Sequence, residues 1–494
     1  MTQPAPGAGT GAAKPAPAAP LRAVASAAAR EEVERGLFEV RKKIYPRAVT
    51  GWFATLRWAA VWLTQVIFYG LPWVAWNDRQ AVLFDLAARK FYIFGLVFWP
   101  QDFIYLTLLL VTAAVALFLF TSVAGRLWCG YACPQTVYTE IFLWIERRIE
   151  GEHNARTKLD AAPLDGRKFR LKAAKHGAWV ALAFWTGFTF VGYFTPIKEL
   201  VGEVLTFTLG PWEMFWIFFY GFATYGNAGW MREQVCKYMC PYARFQGAMF
   251  DQDTLIIAYD RDRGDPRGAR GKKADPKALG LGDCVDCNIC VQVCPTGIDI
   301  RDGLQYECIG CAACIDGCDQ VMEKMGYPKG LIRYSTEHAM HDHSGVKGIV
   351  NRIVRPRTLV YTAILATVVV AASVALWMRV PLKVDVIRDR GAMVREVEDG
   401  ELENVYRLQV MNATESPHRY RISVEGLEGA RVASEPVIEM APASTRAFPV
   451  RIRVPGEAAR GGSQRIVISV TAEDGSGLQV HEKAAFLSPR REGN

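Results

Sequence analysis

The chain has 494 residues, 51% of them hydrophobic, and a formal net charge of +8 at pH 7. A chain of this length is expected to contain more than one domain. Its positive charge does not indicate nucleic-acid binding, because residues 231–357 hold nearly as many acidic as basic side chains. The hydrophobic residues are concentrated in long runs with few charges, which points away from an ordinary soluble protein.

The N-terminal segment, residues 1–34, is predicted to be disordered. Its first 30 residues are rich in Ala, Pro and Gly and contain almost no large apolar side chains, so they cannot bury a core. They also lack the charged start and the apolar centre of a secretory signal. The first apolar run is therefore expected to stay in the protein as a membrane anchor.

Five apolar runs are long enough, at about 20 residues, to cross a bilayer as helices. They are residues 58–76, 103–124, 176–196, 211–230 and 359–378. Trp and Tyr cluster at their ends, as in the interfacial belts of membrane proteins. Buried helices of a large soluble protein are the alternative, which the number of runs disfavours. We expect a four-span membrane domain over residues 35–245 and a fifth transmembrane helix over residues 358–380.

Lys and Arg in the short loops predict the orientation of these spans. Basic residues are frequent before the first span and in the loop after the second span, and they are rare after the first and third spans. The N-terminus is therefore predicted to be cytoplasmic. Five crossings then place residues 231–357 in the cytoplasm and the C-terminal residues outside. The chain would be a multi-pass protein of the bacterial inner membrane, with all its cysteines at or near the cytoplasmic face.

The second and fourth predicted spans each end in a C-x3-C-P motif. The two motifs contain Cys129, Cys133 and Pro134, and then Cys236, Cys240 and Pro241. Proline disfavours helix at the preceding cysteine, so each motif is predicted to close one helix and open the next, with proline at the first helical position. A third metal centre, a copper-handling pair of thiols and a redox dithiol all fit, because soft thiolates favour Cu(I), zinc and iron–sulfur clusters. Small buried residues at helix ends are the structural alternative.

The other eight cysteines form two runs with C-x2-C-x2-C-x3-C spacing. The runs are Cys284, Cys287, Cys290 and Cys294, followed by Cys308, Cys311, Cys314 and Cys318. This is the ligand pattern of a two-cluster bacterial ferredoxin, in which the fourth cysteine of each run ligates the other cluster. The rule assigns Cys318 to the first 4Fe–4S cluster and Cys294 to the second. Zinc, which usually binds two C-x2-C pairs, fits this spacing poorly. We therefore expect an α+β, ferredoxin-like cytoplasmic domain over residues 246–357.

A cluster of possible metal ligands follows the cysteine runs. It consists of Glu337, His338, His341 and His343. These side chains are of the types that bind transition metals. A solvated loop is the more common role for such a stretch, and it is the role that we expect.

The C-terminal residues 381–494 change in character. Residues 405–410, 420–424, 447–454 and 464–470 alternate apolar and polar side chains and are separated by turn residues. This spacing predicts an all-β, immunoglobulin-like sandwich, which would be periplasmic. The segment contains no cysteine, so a docking or scaffold module is expected and not a redox module.

The order of these strings resembles one family, the CcoG/FixG (RdxA-type) cytochrome c oxidase accessory proteins. The resemblance covers roughly residues 35–490 and rests on residues 128–134, 236–241, 283–287, 294–301, 305–311, 314–319 and 330–334. Cys318 is followed by Asp319 and not by proline, which departs from ordinary ferredoxins and agrees with this family.

The resemblance implies a factor that assembles cbb3-type cytochrome oxidase by reducing Cu(II) to Cu(I) before copper enters the binuclear site. The two 4Fe–4S clusters would supply electrons, and Cys129, Cys133, Cys236 and Cys240 would be the catalytic copper contacts. The partners implied are oxidase subunits or copper-delivery proteins, with membrane lipid around the spans. The electron donor is not indicated, since the chain has no Gly-rich nucleotide-binding fingerprint.

Two other functions remain open at this level. A quinol-oxidising conduit, like the membrane ferredoxin-type subunits of periplasmic nitrate reductase systems, would pass electrons to a partner reductase. A non-catalytic assembly scaffold would use its clusters only for structure. A proton pump is not expected, because the spans carry almost no ionisable residues at mid-membrane.

Overall fold

The computed structural model describes residues 43–342, 350, 352–389, 394–397, 400–459 and 461–489. The segment predicted to be disordered and His343 lie outside these residues. The features below belong to the compact unit formed by residues 45–494.

Helices dominate the first part of the described chain. They are α1 (Trp52–Gly70), α2 (Phe103–Ala124), α3 (Leu127–Tyr131), α4 (Pro134–Glu150), α5 (His153–Ala161), α6 (Gly166–Val191), α7 (Ile197–Thr206), α8 (Pro211–Thr224), α9 (Pro241–Met249), α10 (Arg261–Gly264), α11 (Ile289–Gln292), α12 (Ala313–Met325), α13 (Glu337–His341) and α14 (Pro356–Trp377). Two π-helical turns, Tyr225–Met231 and Val235–Met239, follow α8.

All five predicted spans are largely helical. The second coincides with α2, and the fifth overlaps α14. The first ends early, because α1 stops at Gly70 shortly before Pro72. The third begins early, because the Asp165 side chain accepts a hydrogen bond from the amide of Lys168 and so caps α6 at its start. The fourth continues from α8 into a π-helical turn.

Two described segments are long and apolar enough to cross a membrane. They are Pro100–Ala124 and Pro356–Trp377, and neither is buried inside the protein. α8 falls short because its regular α-helix has 14 residues. The two exposed apolar helices indicate association with a membrane. The five-span arrangement stays a prediction.

A small antiparallel sheet lies between α1 and α2. A hairpin of β1 (Ala75–Trp76) and β2 (Arg79–Gln80) comes first. The sheet that follows consists of β3 (Val82–Asp85), β4 (Lys90–Ile93) and β5 (Leu96–Phe98). Val97 and Trp99 form an apolar cluster with Met411 and Ala413 from the C-terminal part of the chain. The region between these two helices is therefore packed against the C-terminal domain.

The cysteine runs belong to a compact α+β segment. Two strands, β6 (Ile256–Tyr259) and β7 (Ile332–Ser335), pair antiparallel and close it. Between them, α11 carries Cys290 and α12 carries the last two cysteines of the second run. Ile257, Ile300 and other apolar side chains form its core together with the cysteines. The ferredoxin-like prediction agrees with this architecture.

The C-terminal domain is a β-sandwich, as predicted. Its strands are β8 (Leu382–Arg388), β9 (Arg395–Glu396), β10 (Glu401–Asn412), β11 (His418–Glu425), β12 (Arg431–Val432), β13 (Val437–Met440), β14 (Thr445–Pro455), β15 (Gly462–Ala472) and β16 (Gln479–Ser488). One sheet has the order β12-β14-β10-β8 with β9 beside β10, and the other has the order β13-β11-β15-β16. Buried residues from both sheets, such as Tyr406, Ile452 and Phe486, form the core between them.

A buried carboxylate joins the sandwich to the helices. Asp102 precedes α2 and is 4% exposed. It accepts a hydrogen bond from Arg379 at 2.7 Å and pairs with Lys383, and both of these cations follow α14. The beginning of α2 and the end of α14 are thus held together where the sandwich begins.

The ferredoxin-like segment is attached to α1 by a helix cap. The carboxylate of Asp316, in α12, accepts hydrogen bonds from the amides of Phe53 and Ala54 at 3.2 and 2.7 Å. These amides belong to the first turn of α1 and have no partner within that helix. A negative charge at this end also favours the helix dipole. Gly51 permits the approach, since an added Cβ would lie 2.3 Å from the Asp316 carboxylate.

We predict that Asp316→Ala weakens this attachment. Loss of a capping carboxylate costs about 0.5–2 kcal/mol. Hydrogen–deuterium exchange of the Phe53 and Ala54 amides in detergent should become faster by the factor that this loss of free energy implies. Glu323→Ala is the matched control, because Glu323 lies on the same helix with a side chain that is 69% exposed. Equal exchange in both variants would refute the cap.

Candidate redox centre

The first cavity in the ferredoxin-like segment is lined by cysteines of both runs. Cys284, Cys287, Cys290 and Cys318 face it, and Met322 is among its apolar neighbours. Cys284 and Cys290 are buried, whereas Cys287 is exposed to solvent. This cavity therefore has one thiol at the protein surface.

The second cavity adjoins the first. It is lined by Cys294, Cys308, Cys311 and Cys314, and Cys290 lies at the boundary of both cavities. Each cavity thus combines three cysteines of one run with the fourth cysteine of the other run. This grouping has the form that the spacing predicts, and the assignment of individual ligands stays a prediction.

The two runs bend in the same way. Left-handed backbone angles occur on both sides of the second cysteine of each run, at Asp286 and Asn288 (φ 50° and 55°) and at Gly310 and Ala312 (φ 69° and 59°). A left-handed residue other than glycine costs about 1–2 kcal/mol. Each run accepts this cost, and the resulting turns direct its first three cysteines into one cavity.

Two buried arginines border the second cavity. Arg57 is 8% exposed and donates to the carbonyl of Cys311 at 2.5 Å. Arg126 is 6% exposed and donates to the carbonyls of Tyr306 and Ala243. In the described part of the chain, neither guanidinium has a carboxylate partner. Buried positive charge favours an anionic neighbour. A 4Fe–4S cluster bound by four thiolates is anionic, so all-thiol donors, apolar walls and buried cations together fit such a group.

The cluster cysteines are in surroundings that keep a free thiol protonated. Burial raises the pKa of Cys290, Cys308 and Cys318 to about 12 in each case. Metal ligation requires the thiolate, so metal binding here must displace protons. These side chains are therefore poor free nucleophiles and suitable ligands for a strongly bound metal group.

Both C-x3-C-P motifs join two helices, as predicted. Cys133 and Cys240 are the residues that precede α4 and α9, and Pro134 and Pro241 occupy the first positions of those helices. Cys129 lies in the short helix α3. The first cysteine of the second motif lies in a π-helical turn and not in a regular helix, which the pattern did not predict.

The thiols of the two motifs are neighbours. Burial, with a smaller contribution from the neighbouring motif thiols, raises the pKa of Cys129 to about 11 and that of Cys236 to about 12. A redox dithiol of the thioredoxin kind has a lowered pKa, so these values favour a metal-handling or structural role. The Cys129 thiol contacts the amide oxygen of Gln246, in α9, at 3.4 Å. One motif is thus tied to the helix that follows the other.

The motif thiols also pack against the second cavity. Cys129 and Cys236 join an apolar cluster that contains Cys311, Ile309 and Val293. Cys129 and Cys236, which lie 182 and 75 residues before Cys311 in the sequence, therefore share one cluster of side chains with it. Neither cavity has a motif cysteine among its lining residues, and the motifs approach the second cavity through the cluster that they share with Cys311 and Cys314.

An open cleft borders this shared cluster. Cys236 and Cys311 both line it, together with the charged side chains of Arg57, Glu140 and Glu233. A small acceptor in the cleft would therefore reach a motif thiol and a cysteine of the second cavity at the same time.

A buried ion network supports the second motif, and the sequence pattern did not reveal it. Glu146 and Arg156 are fully buried and 3.0 Å apart, and Arg232 approaches the same carboxylate at 3.0 Å. Lys175 lies 3.7 Å from Glu146 and 4.7 Å from the centre of the Trp179 ring. The network links α4, α5 and α6 to the turn just before the second motif. In the sequence these basic residues indicated only the orientation of the spans, because composition cannot identify which charges are paired.

The predicted histidine cluster does not form a single-ion site in the described residues. Glu337, His338 and His341 lie in a one-turn helix and not in a loop. His338 pairs with Asp253 at 2.7 Å, and the His341 side chain is 89% exposed. Over the described ranges, no three or more His, Cys, Asp or Glu side chains converge as around one metal ion. In a cube each thiolate binds a different iron, so cluster cysteines are spaced more widely than ligands of one ion.

Family models match most parts of this architecture. A 4Fe–4S dicluster domain matches residues 231–337, a 4Fe–4S binding domain matches residues 106–151, and the IG-like fold at the C-terminal of FixG matches residues 372–489. The second of these models spans the first C-x3-C-P motif. Fold and site together define an iron–sulfur electron-transfer protein with an immunoglobulin-like C-terminal domain.

Comparison of whole chains gives the family. The ferredoxin-type protein NapH of Haemophilus influenzae is 22% identical over 48% of this chain and 71% of NapH. Protein RdxA of Cereibacter sphaeroides is 40% identical over 81% of this chain and 86% of RdxA. The nitrogen fixation protein FixG of Rhizobium meliloti is 41% identical over 81% of this chain and 82% of FixG. The chain belongs to the FixG/RdxA family.

We predict that Glu146→Gln destabilises the protein strongly. Removing one partner of a buried ion pair costs about 3–5 kcal/mol, because the remaining charge stays buried. Thermal unfolding of the purified protein in detergent should show a clear fall in Tm. Glu152→Gln is the control, because Glu152 is exposed at the start of α5. A Tm for Glu146→Gln equal to that of the control would show that the network does not stabilise the fold.

Proposed function

We propose that this protein is a membrane-bound electron-transfer protein that reduces Cu(II) to Cu(I) during assembly of a cbb3-type cytochrome oxidase. One observation carries the proposal: the first cysteine of each C-x3-C-P motif, Cys129 and Cys236, packs in one cluster with Cys311 and Cys314 of the second cavity. Thiolates favour Cu(I), and iron–sulfur clusters supply single electrons. Membership of the FixG/RdxA family supports the redox part of this function.

The proposed ligands follow the two cavities. Cys284, Cys287, Cys290 and Cys318 would hold one 4Fe–4S cluster, and Cys308, Cys311, Cys314 and Cys294 would hold the other. When bound, such clusters accept and release one electron at a time. The chain itself contributes apolar walls that exclude water, arginines that offset negative charge, and turns that orient the thiols.

The four motif thiols would bind the copper substrate. Cu(II) entering the cleft meets Cys236 and the carboxylates of Glu140 and Glu233. A cluster held by the cysteines of the second cavity would supply the one electron that converts Cu(II) to Cu(I), and the thiols of Cys129 and Cys236 would retain the softer ion because it prefers sulfur. Each copper ion consumes one electron, so two reduced clusters would serve two copper ions.

The proposed topology is the predicted one, with five spans, a cytoplasmic N-terminus and redox centre, and a periplasmic sandwich. Exposed apolar side chains on helices beyond the two strongest candidates support it. Trp62 on α1 is 66% exposed, and Trp212 and Phe222, on α8, are 70% and 62% exposed. Side chains of this kind need an apolar surrounding. The partners would be oxidase subunits or copper-delivery proteins.

A quinol-oxidising conduit is the second candidate. It is favoured by the similarity to the ferredoxin-type protein NapH, which covers 71% of that protein. In that case the same cleft would take a quinol, and a partner protein would take the electrons. A non-catalytic scaffold is the third candidate, and it predicts that no acceptor reoxidises the reduced protein at a useful rate.

We predict that Cu(II) reoxidises the reduced protein. The purified protein is reduced with dithionite under anaerobic conditions, freed of reductant and mixed separately with Cu(II) and with a quinone analogue. Recovery of cluster absorbance with stoichiometric Cu(I) is expected for copper. Reoxidation by the quinone alone would refute the copper proposal and favour the conduit. Failure of both acceptors would favour the scaffold.

We also predict that the double variant Cys129→Ala, Cys133→Ala keeps both cluster signals in electron paramagnetic resonance (EPR) and loses most copper turnover. The reason is that it removes soft ligands without removing a proposed cluster ligand. His341→Ala is the control, because an exposed imidazole can bind copper without taking part in turnover. A fall in iron content in the double variant would instead make these cysteines structural or cluster ligands.

A further inference from the structure

We propose that the two cavities have fixed and different roles: the second cavity is the inner redox site, which exchanges electrons with the C-x3-C-P thiols across the contact between Gly130 and Cys311, and the first cavity is the outer site, which meets external one-electron donors. This inference rests on the proposed electron transfer to the motif thiols.

Gly130 brings the backbone of the first motif close to the second cysteine run. A Cβ atom added to Gly130 would lie 2.8 Å from the backbone nitrogen and Cα of Cys311 and 2.8 Å from the carbonyl oxygen of Gly310. All three are backbone atoms, so a side chain here must separate the two elements. Gly130 follows Cys129 directly, and the contact therefore places the motif backbone against a cysteine of the second cavity.

A hydrogen-bonded pair of tyrosines accompanies this contact. Tyr131, the next residue of the motif, lies with its hydroxyl 3.4 Å from that of Tyr334 on β7. Tyr334 donates to the carbonyl of Gly310 at 2.6 Å. The first motif and the loop of the second run are thus joined by van der Waals contact and by hydrogen bonds.

Exposure distinguishes the two cavities. In the first cavity Cys287 is exposed, and so are its neighbours Asp286 and Asn288. In the second cavity Cys311 is buried against the motif, and the remaining cysteines are at most partly exposed. An external electron carrier can therefore approach the first cavity most closely.

The charges near the two cavities indicate the direction of electron transfer between them. The guanidinium of Arg301 lines the first cavity and is paired with Asp286 and Asp299, both at 2.6 Å. The guanidiniums of Arg57 and Arg126, beside the second cavity, are bonded to carbonyl groups and have no carboxylate partner in the described chain. A guanidinium without a paired carboxylate stabilises an added electron more than a paired guanidinium does, and it therefore favours a higher reduction potential. Electrons should therefore move from the first cavity to the second, towards the motif.

The first test uses Gly130→Ala. The variant should keep both clusters, measured by iron and sulfide content and by EPR, and its thiol-dependent reoxidation by Cu(II) should slow several-fold. The thiol-dependent rate is the total rate minus that of the Cys129→Ala, Cys133→Ala variant. Reoxidation by ferricyanide, which meets the exposed site, should not change. Gly177→Ala is the control, because Gly177 also lies in a helix and an added Cβ meets nothing within 4 Å.

Two outcomes of this test have separate meanings. If wild-type protein has no thiol-dependent reoxidation by Cu(II), the proposed function is refuted, whatever the result for Gly130→Ala. If wild-type protein has it and a fully loaded Gly130→Ala protein retains the same rate, the assignment of the inner site is overturned.

A second test does not depend on turnover or on the folding of Gly130→Ala. Arg57→Gln should lower the reduction potential of one cluster in an EPR-monitored redox titration, and Arg301→Gln should lower that of the other, because each removes a nearby positive charge. The two variants thereby show which EPR signal belongs to which cavity. Stoichiometric Cu(I) bound to the wild-type protein should then raise the potential of the Arg57-sensitive cluster alone. A shift of the Arg301-sensitive cluster, or no difference between the two, would overturn the proposal.

Discussion

Helix ends leave backbone groups without partners inside the helix. In this protein, backbone and side-chain polar groups of the neighbouring helices form hydrogen bonds with the ferredoxin-like segment. Asp316 caps the first turn of α1. Arg57 on α1 and Arg126 after α2 donate to carbonyls around the cysteine runs and the second motif. These polar groups are buried, so any other docking would leave them unsatisfied at a cost of about 1–3 kcal/mol each. The position of the ferredoxin-like segment, and with it the distance from its cysteines to the motif thiols, depends on this constraint.

The buried charges of the protein serve two different purposes. Around Glu146, carboxylate and cations are matched and hold helices together. Around the second cavity, the guanidiniums of Arg57 and Arg126 are unmatched within the described chain, which suits a site for an anionic group. The sandwich has a third arrangement, in which Asp102 pairs with Arg379 and Lys383 and fixes the domain to the helices without any thiol nearby.

Local patterns predicted much of the fold. The second span and α2 have the same bounds, because this uninterrupted apolar run of about 20 residues has the length that a membrane-crossing helix requires. The alternating segments became β10, β11, β14 and β15, because a two-residue period is specific to a half-buried strand. Pro134 and Pro241 begin helices, because their ring suits the first helical position.

Other features depended on contacts between distant residues and could not be predicted. Asp316 looked like an ordinary helical carboxylate between two cysteines, and its partners lie more than 260 residues earlier. Gly130 looked like a small residue inside a short motif, and its importance appears only where the loop of Cys311 touches it. The π-helical turns after α8 were not predicted either, because Gly226, Asn227 and Gly229 weaken a regular helix but do not specify a π-helical turn.

The sequence by itself determined the chemistry of the ligands, the spacing of the cysteine runs, the prolines that divide the helices and the β-character of the C-terminal domain. These properties depend on residue type and on short-range periodicity, which the chain carries wherever it is placed. Only the tertiary structure decided which cavity lies against the C-x3-C-P thiols, which arginines are paired and which face of the ferredoxin-like segment is open. Those properties are set by close packing and by the need to satisfy buried polar groups, and both involve residues that are far apart in the chain.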